Sequence, residues 1–234
     1  MRFRHSSEIW SAFPELTCGV LHATGVTPGV DVTPRLAGYL GAARDRLAAG
    51  PEGGFPEIQA WRRAFTRMGC PPTRYRCAAE SLLRRLRRDG HLPRLHPLVD
   101  LGNALSTRYA VPVAVLDLAR IDGDLTVRPA DGTESYLGLG GRASTRRRRG
   151  DLRRPLWPRP RPALVPPAER RVGGPARNHR GARGGRGDAR GAAQTVRRML
   201  DDLAAALAEQ WRVPSRTALL TADAPEFAVP VRTG

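Results

Sequence analysis

Lysine is missing altogether: all 39 basic residues of this 234-residue chain are arginine. Guanidinium and ammonium groups are not interchangeable at every surface site, so a total absence points to a strongly GC-biased coding sequence and not to a binding strategy. Cysteine is scarce. Cys18, Cys70 and Cys77 are odd in number, and the opening MRFRHSSEIW lacks the apolar centre of a signal peptide, which argues against a disulfide framework. Cys70 and Cys77 are too far apart for a CxxC pair, and no second cysteine pair or histidine cluster completes a zinc site. Free thiols, buried or half-buried, are expected, with no metal and no cofactor. No run approaches the ~18 apolar residues a membrane span needs. A cytoplasmic address follows as the expectation.

What is present fits a folded chain with one unusual stretch. An apolar content of 41% and this length allow one good-sized domain with a sizeable core. The net charge of +17 looks like the footprint of a nucleic-acid binder until its distribution is read. Residues 141–194 hold 16 arginines against three acids, whereas the other 180 residues hold 23 against 19. The body is mildly basic, and the extreme charge belongs to one segment.

Cys18–His22 is a β-like run bounded by Pro14 and Gly25. Thr33-Pro34 starts a helix with Leu36, Tyr39, Leu40, Ala43 and Leu47 at helical spacing, and GPEGG, beginning at Gly50, ends it. A second helix covers Phe55–Met68, with Ile58, Trp61, Phe65 and Met68 on one face and Arg62, Arg63 and Arg67 on the other. Those arginines are either a solvated face or RNA contacts. A third helix spans Arg76–Arg88: Leu82, Leu83 and Leu86 face inward, Glu80 stands i,i+4 to Arg84, and Asp89-Gly90 caps the end. Arg84, Arg85, Arg87 and Arg88 complement the helix dipole there without any RNA.

His91 and His96 flank the prolines of HLPRLHP and read as turn packing, not as metal ligands. In the apolar segment Leu98–Tyr109, Asp100 and Asn103 are spaced i,i+3 and would share a helix face. Val111–Leu118 and Leu125–Val127 read as strands joined by a tight turn at Ile121–Asp124. Asp131-Gly132 makes another turn before Tyr136-Leu137. Gln194–Trp211 is an apolar-periodic helix with Asp201 and Asp202 opposite, and Ser215–Leu220 reads as a last strand before a Pro-broken tail.

The run LVDLGNALS from Leu98, then Val111-Pro112, Leu116-Asp117-Leu118, Gly123-Asp124-Leu125, Val127-Arg128-Pro129-Ala130, Gly132, Glu134 and Leu137–Gly141 resembles the B3/B4 domain of the phenylalanyl-tRNA synthetase beta subunit. Trp61-Arg62 followed by SLLRRLRRDGHLP is more similar to the shorter, stand-alone B3/B4 proteins. The likeness covers Phe13–Gly141. It implies an α+β domain with a β-sandwich-like core and flanking helices, and a partner that is tRNA or aminoacyl-tRNA. The implied pocket candidates are Asp100, Asn103, Ser106, Asp117, Arg128 and Glu134, and the RNA-contact candidates are Arg62, Arg63, Arg84, Arg87 and Arg88.

In the synthetase this domain hydrolyses tyrosine misattached to the phenylalanine tRNA, a task that arises because an apolar pocket discriminates poorly against one added hydroxyl. The family places a histidine two residues after a proline, where this chain has Ala114. An alanine can neither donate a hydrogen bond nor shuttle a proton. The resemblance therefore implies an RNA-binding domain first and a trans-editing hydrolase second. No ATP-binding or amino-acid-activating motif is present, so aminoacylation by this chain alone is not expected, and the oligomeric state is left open.

The expected division is 1–141 for the first part of the domain, 142–191 for an Arg/Pro/Gly-rich segment, and 192–234 for a helix and strand of the same domain. The middle segment has two readings. It is a disordered linker that binds RNA nonspecifically, or the product of a compensated reading-frame shift. Codons for Leu164–Arg171 can be chosen so that the next frame reads Trp-Cys-His-Arg-Gln-Ser-Ala, which matches a Trp-x-x-Arg-Gln motif of the family. The linker reading predicts that deleting residues 142–190 abolishes RNA affinity.

Overall fold

The computed structural model describes residues 1–130, 135–138, 141–144 and 186–229. In chain order the elements are β1 (Arg2–His5), α1 (Ser7–Ala12), β2 (Cys18–Ala23), α2 (Thr33–Ala49), α3 (Pro56–Arg67), α4 (Ala78–Asp89), α5 (Pro97–Tyr109), β3 (Leu125–Val127), β4 (Ser135–Gly138), β5 (Gly141–Ser144), α6 (Arg186–Trp211), β6 (Ser215–Leu220) and β7 (Glu226–Ala228). Short 3₁₀ turns lie at Glu52–Gly54 and Leu118–Arg120. The class is α+β, as the sequence implies. The segment 145–185 and the turn with Glu134 lie outside the described residues.

The helices begin and end where local chemistry says they should. Asp31 accepts from the Thr33 N–H (2.8 Å) at the head of α2, and Pro34 sits in its first turn, where its missing N–H costs nothing. The Cys77 thiol accepts from the Glu80 N–H at the head of α4, which closes at Gly90 in the left-handed conformation (φ +73°). His96 Nδ1 accepts from the Leu98 N–H and so caps α5, giving this histidine its turn role.

Two apolar clusters hold the helices. Ile58, Phe65, Leu83 and Leu86 join α3 to α4, and Leu36, Tyr39, Leu101, Leu105 and Met199 join α2, α5 and α6. The helix α6 begins upstream of the expected Gln194, and its Asp202 is not opposite the packed face: Tyr109 donates to its carboxylate at 2.7 Å. α6 also covers β2. A Cβ on Gly19 would stand 2.6 Å from Val196 Cγ1, so only glycine lets the strand approach the helix this closely.

The strands form three small sheets, ordered β3-β1-β7, β2-β6 and β4-β5. β1, which shows too little periodicity to be legible in MRFRHSSEIW, is the middle strand of the first. It runs parallel to β3 (Phe3 opposite Leu125, His5 opposite Val127) and antiparallel to β7 (Phe3 opposite Phe227). β2 and β6 pair along six residues, from Cys18 with Leu220 to Ala23 with Ser215.

The expected hairpin between Val111–Leu118 and Leu125–Val127 is not formed. β3 pairs with β1 instead, and residues 111–117 form no strand among the described residues. The period-two alternation persists without a ladder: Val113 and Val115 lie on Gly102 of α5, within 3.4 and 3.1 Å of where its Cβ would be, while Ala114 and Leu116 point outward. Packing against the helix has taken the place of strand pairing.

Candidate functional site: arginines around two buried carboxylates

Two glutamates are enclosed in the α3–α4 layer. Glu52 is 2% exposed and Glu80 is 0% exposed. Ionised carboxylates survive such burial only when paired, and both are. Glu80 Oε1 receives Arg62 Nη2 at 2.7 Å and lies 3.5 Å from Arg76 Nε. Glu52 is approached by Arg87 Nη1 at 3.1 Å and by Arg84 Nη1 at 3.5 Å. Arg62 lies over Gly53, with its Nη2 3.2 Å from where a side chain there would begin. The Glu80 hydrogen bond pushes the Arg62 pKa above its already high ordinary value.

This differs from the expected i,i+4 pair. Glu80 does not take Arg84: it takes Arg76, one turn earlier, and Arg62 from α3, leaving Arg84 for Glu52. The reason is depth, because Glu80 starts the face that meets α3, and the 3₁₀ turn carries Glu52 under the later turns of α4. Glu52 and Arg76 had no signal in the sequence. Glu52 sits in GPEGG, which reads only as a helix stop. Arg88 donates to the neighbouring Asp89, and Arg63 is exposed on α3. The five RNA-contact candidates thus fall in one helical layer, three of them with a buried carboxylate as partner.

The pocket candidates are not gathered in one place. Asp100 is 7% exposed and ties down the preceding loop: it accepts from the Leu95 N–H at 2.9 Å and from Arg94 Nε at 3.1 Å. Ser106 donates to the Val111 carbonyl at 2.7 Å and so fixes the start of the extended run. Both polar groups are committed to the fold. Asp117 is exposed, caps the short 3₁₀ turn through the Ala119 N–H and holds Arg120. Arg128, half-buried, donates to the Pro129 carbonyl at 2.9 Å. Asn103 is half-buried on α5, one turn from Asp100. Glu134 lies outside the described residues.

Ala114 is exposed beside Leu116, which is 50% exposed. No acid or base occupies that position. The three cysteines are free thiols, as expected: Cys70 and Cys77 are buried and Cys18 half-buried, and burial pushes their pKa values up to about 11, 11 and 12 respectively. Thiols held protonated in this way are poor nucleophiles. His91 Nδ1 lies 2.8 Å from the Asp89 carbonyl. Among the described residues no helix is long and apolar enough to cross a membrane.

At the corner where β1 enters α1, three polar atoms are enclosed without a partner: His5 Nδ1, Ser6 Oγ and Trp10 Nε1. The His5 and Trp10 rings meet edge-on with centroids 5.2 Å apart, and burial lowers the His5 pKa below 6.5.

No curated protein and no solved structure matches the chain. A family match begins inside α3, takes in α4, α5 and the 111–130 run, and ends beyond β5. Residues 60–152 match the B3/4 domain family.

Proposed function

We propose that the chain is a stand-alone, phenylalanyl-tRNA synthetase beta-like B3/4 domain that binds tRNA or aminoacyl-tRNA in the cytoplasm and does not hydrolyse it. The observation that carries this reading is the family match over residues 60–152, which includes the arginine-bearing layer. Phosphate groups are held by planar guanidinium forks more specifically than by point charges. The hydrolytic alternative needs a positioned water and a group to take its proton. Ala114 offers none, and Asp100 and Ser106 are spent on internal hydrogen bonds. Asn103, Asp117, Arg128 and Glu134 remain candidates for contact with the aminoacyl end.

Fluorescence anisotropy with a tRNA transcript tests binding, and a deacylation assay on tyrosine-charged phenylalanine tRNA tests hydrolysis. Saturable binding with no release of tyrosine above the buffer rate is expected. Turnover that is lost in Asn103→Ala would establish the trans-editing hydrolase instead. The frame-shift account of residues 142–191 is part of the same proposal, and the nucleotide sequence decides it. A next frame encoding no strand-like text with Trp-x-x-Arg-Gln ends that account.

A further inference from the structure

The charge of the body is not spread over its surface. Residues 52–90 hold nine arginines against four acids, whereas the rest of the body outside 141–194 holds 14 arginines against 15 acids. All the net positive charge of the body is therefore in the α3–α4 layer. Within it, Glu80, Arg84 and Arg87 follow i, i+4, i+7 along one face of α4, flanked by Arg62 from α3. Two carboxylates cannot neutralise four guanidiniums, so the cluster keeps an excess of two positive charges. The carboxylates are enclosed, while Arg62, Arg76, Arg84 and Arg87 remain 31–47% exposed. Arg62, Arg84 and Arg87 are hydrogen-bonded to a buried carboxylate from below, and Arg76 Nε faces Glu80 at 3.5 Å without a hydrogen bond.

We infer that Glu52 and Glu80 are positioning residues that hold Arg62, Arg76, Arg84 and Arg87 as one preformed face for the phosphates of an RNA backbone. This rests on the RNA-binding reading above and names its surface. A free arginine loses ~1.5–2 kcal/mol of rotamer freedom when it is fixed on a ligand, and a guanidinium already oriented by a buried carboxylate has lost that freedom on folding. The face carries no apolar wedge: the exposed large hydrophobic residues among the described ones are Leu95 and Leu116, on neither α3 nor α4. That favours a polyanion over a lipid surface, into which an exposed apolar residue would insert.

The test uses the full chain, a tRNA transcript, and anisotropy titrations from ~50 to ~200 mM salt. Glu80→Gln adds a positive charge, so simple attraction makes it bind more tightly. A positioning carboxylate makes it bind more weakly, and we expect a loss of about five-fold. Glu52→Gln reads the same sign at the other carboxylate if Glu80→Gln lowers the melting temperature so far that it does not fold. Arg84→Ala/Arg87→Ala in the Glu52→Gln background removes two arginines of the face without leaving a buried carboxylate unpaired. Relative to Glu52→Gln it is expected to weaken binding about ten-fold and to flatten the log–log salt slope by about 1.4–1.8.

Tighter binding by both glutamine variants overturns the positioning role. Unchanged affinity in Glu52→Gln/Arg84→Ala/Arg87→Ala relative to Glu52→Gln, with complete loss when Arg146–Arg149 are changed to serine, overturns the surface and leaves the RNA reading standing. Absence of tRNA binding by the unaltered chain overturns both, and binding to phosphatidylserine vesicles in its place identifies a membrane as the partner.

Discussion

In the helical layer, residues 33–110, the buried carboxylates of Glu52, Glu80 and Asp100 each face an arginine within 3.1 Å. At the corner where β1 meets α1, His5 Nδ1, Ser6 Oγ and Trp10 Nε1 are enclosed with no hydrogen-bond partner, whereas the two such atoms of the helical layer, Glu52 Oε2 and Arg76 Nε, each lie within 3.5 Å of an opposite charge. The difference follows from how far along the chain each region must reach. The helical layer is built from consecutive elements, and Arg62 finds Glu80 eighteen residues away. The strand layer joins Phe3 to Leu125 and to Phe227, so its completion depends on segments at both ends of the chain. An enclosed polar atom without a partner costs about 1–3 kcal/mol, and long-range pairing must also offset the entropy of closing large loops. On these grounds the helices are expected to be the sturdier of the two regions and the sheets to depend on them.

The largest effect that would sharpen this contrast is in the helices. Leu83 is fully enclosed between α3 and α4, so Leu83→Ala should lose about 3 kcal/mol in a urea melt. If the sheets rest on the helices, tryptophan fluorescence and far-UV circular dichroism shift together in this variant. A two-step transition would break the comparison. Next comes the seam between the regions. Gly19→Val places a side chain where Val196 already is, and overpacking of this kind should cost about 2 kcal/mol in the same melt. Amide exchange should rise in β2 and β6 while α2–α5 stay protected.

Tyr109→Phe removes the hydrogen bond to Asp202, and a loss of about 1 kcal/mol is expected at neutral pH. Burial, with Asp202 adding to it, raises this phenol from 10.0 to about 12. The unfolded chain then releases its proton first, so stability should fall as pH rises from 10 toward 12, less steeply in the variant. The smallest effect belongs to His5. Its folded pKa lies below the ordinary 6.5, so the unfolded state takes up the proton first and stability should fall as pH drops below 6.5. His5→Phe, measured by melting temperature between pH 7 and 5, should flatten that part of the curve. An unchanged slope would show that His5 is not enclosed in solution.

The parts legible from the sequence are those whose cause is local. α2, α3 and α4 are bounded by Pro34, Pro56 and Gly90, residues that act on their own neighbours. β2, β3 and β6 could be read from short apolar runs, but their partners could not. Val111–Leu118 alternates as a strand should, and the alternation only reports that one side is covered. It does not say whether a strand or the helix face at Gly102 does the covering. In the site, the arginines were visible and their buried anchors were not. Glu52 carries no periodic signal, and Glu80 has an arginine four residues away on each side, of which it uses Arg76 and not the expected Arg84.

The seat of α6 on β2 and α5 has one more consequence. Val196, Met199, Leu200 and Asp202 meet Gly19, the α2–α5 cluster and Tyr109, so the chain on either side of residues 145–185 is bound together by contacts that those residues do not supply. The covalent connection adds to that packing the effective concentration it gives the two sides. A chain cut once within 145–185 should remain a single particle in gel filtration, held by α6.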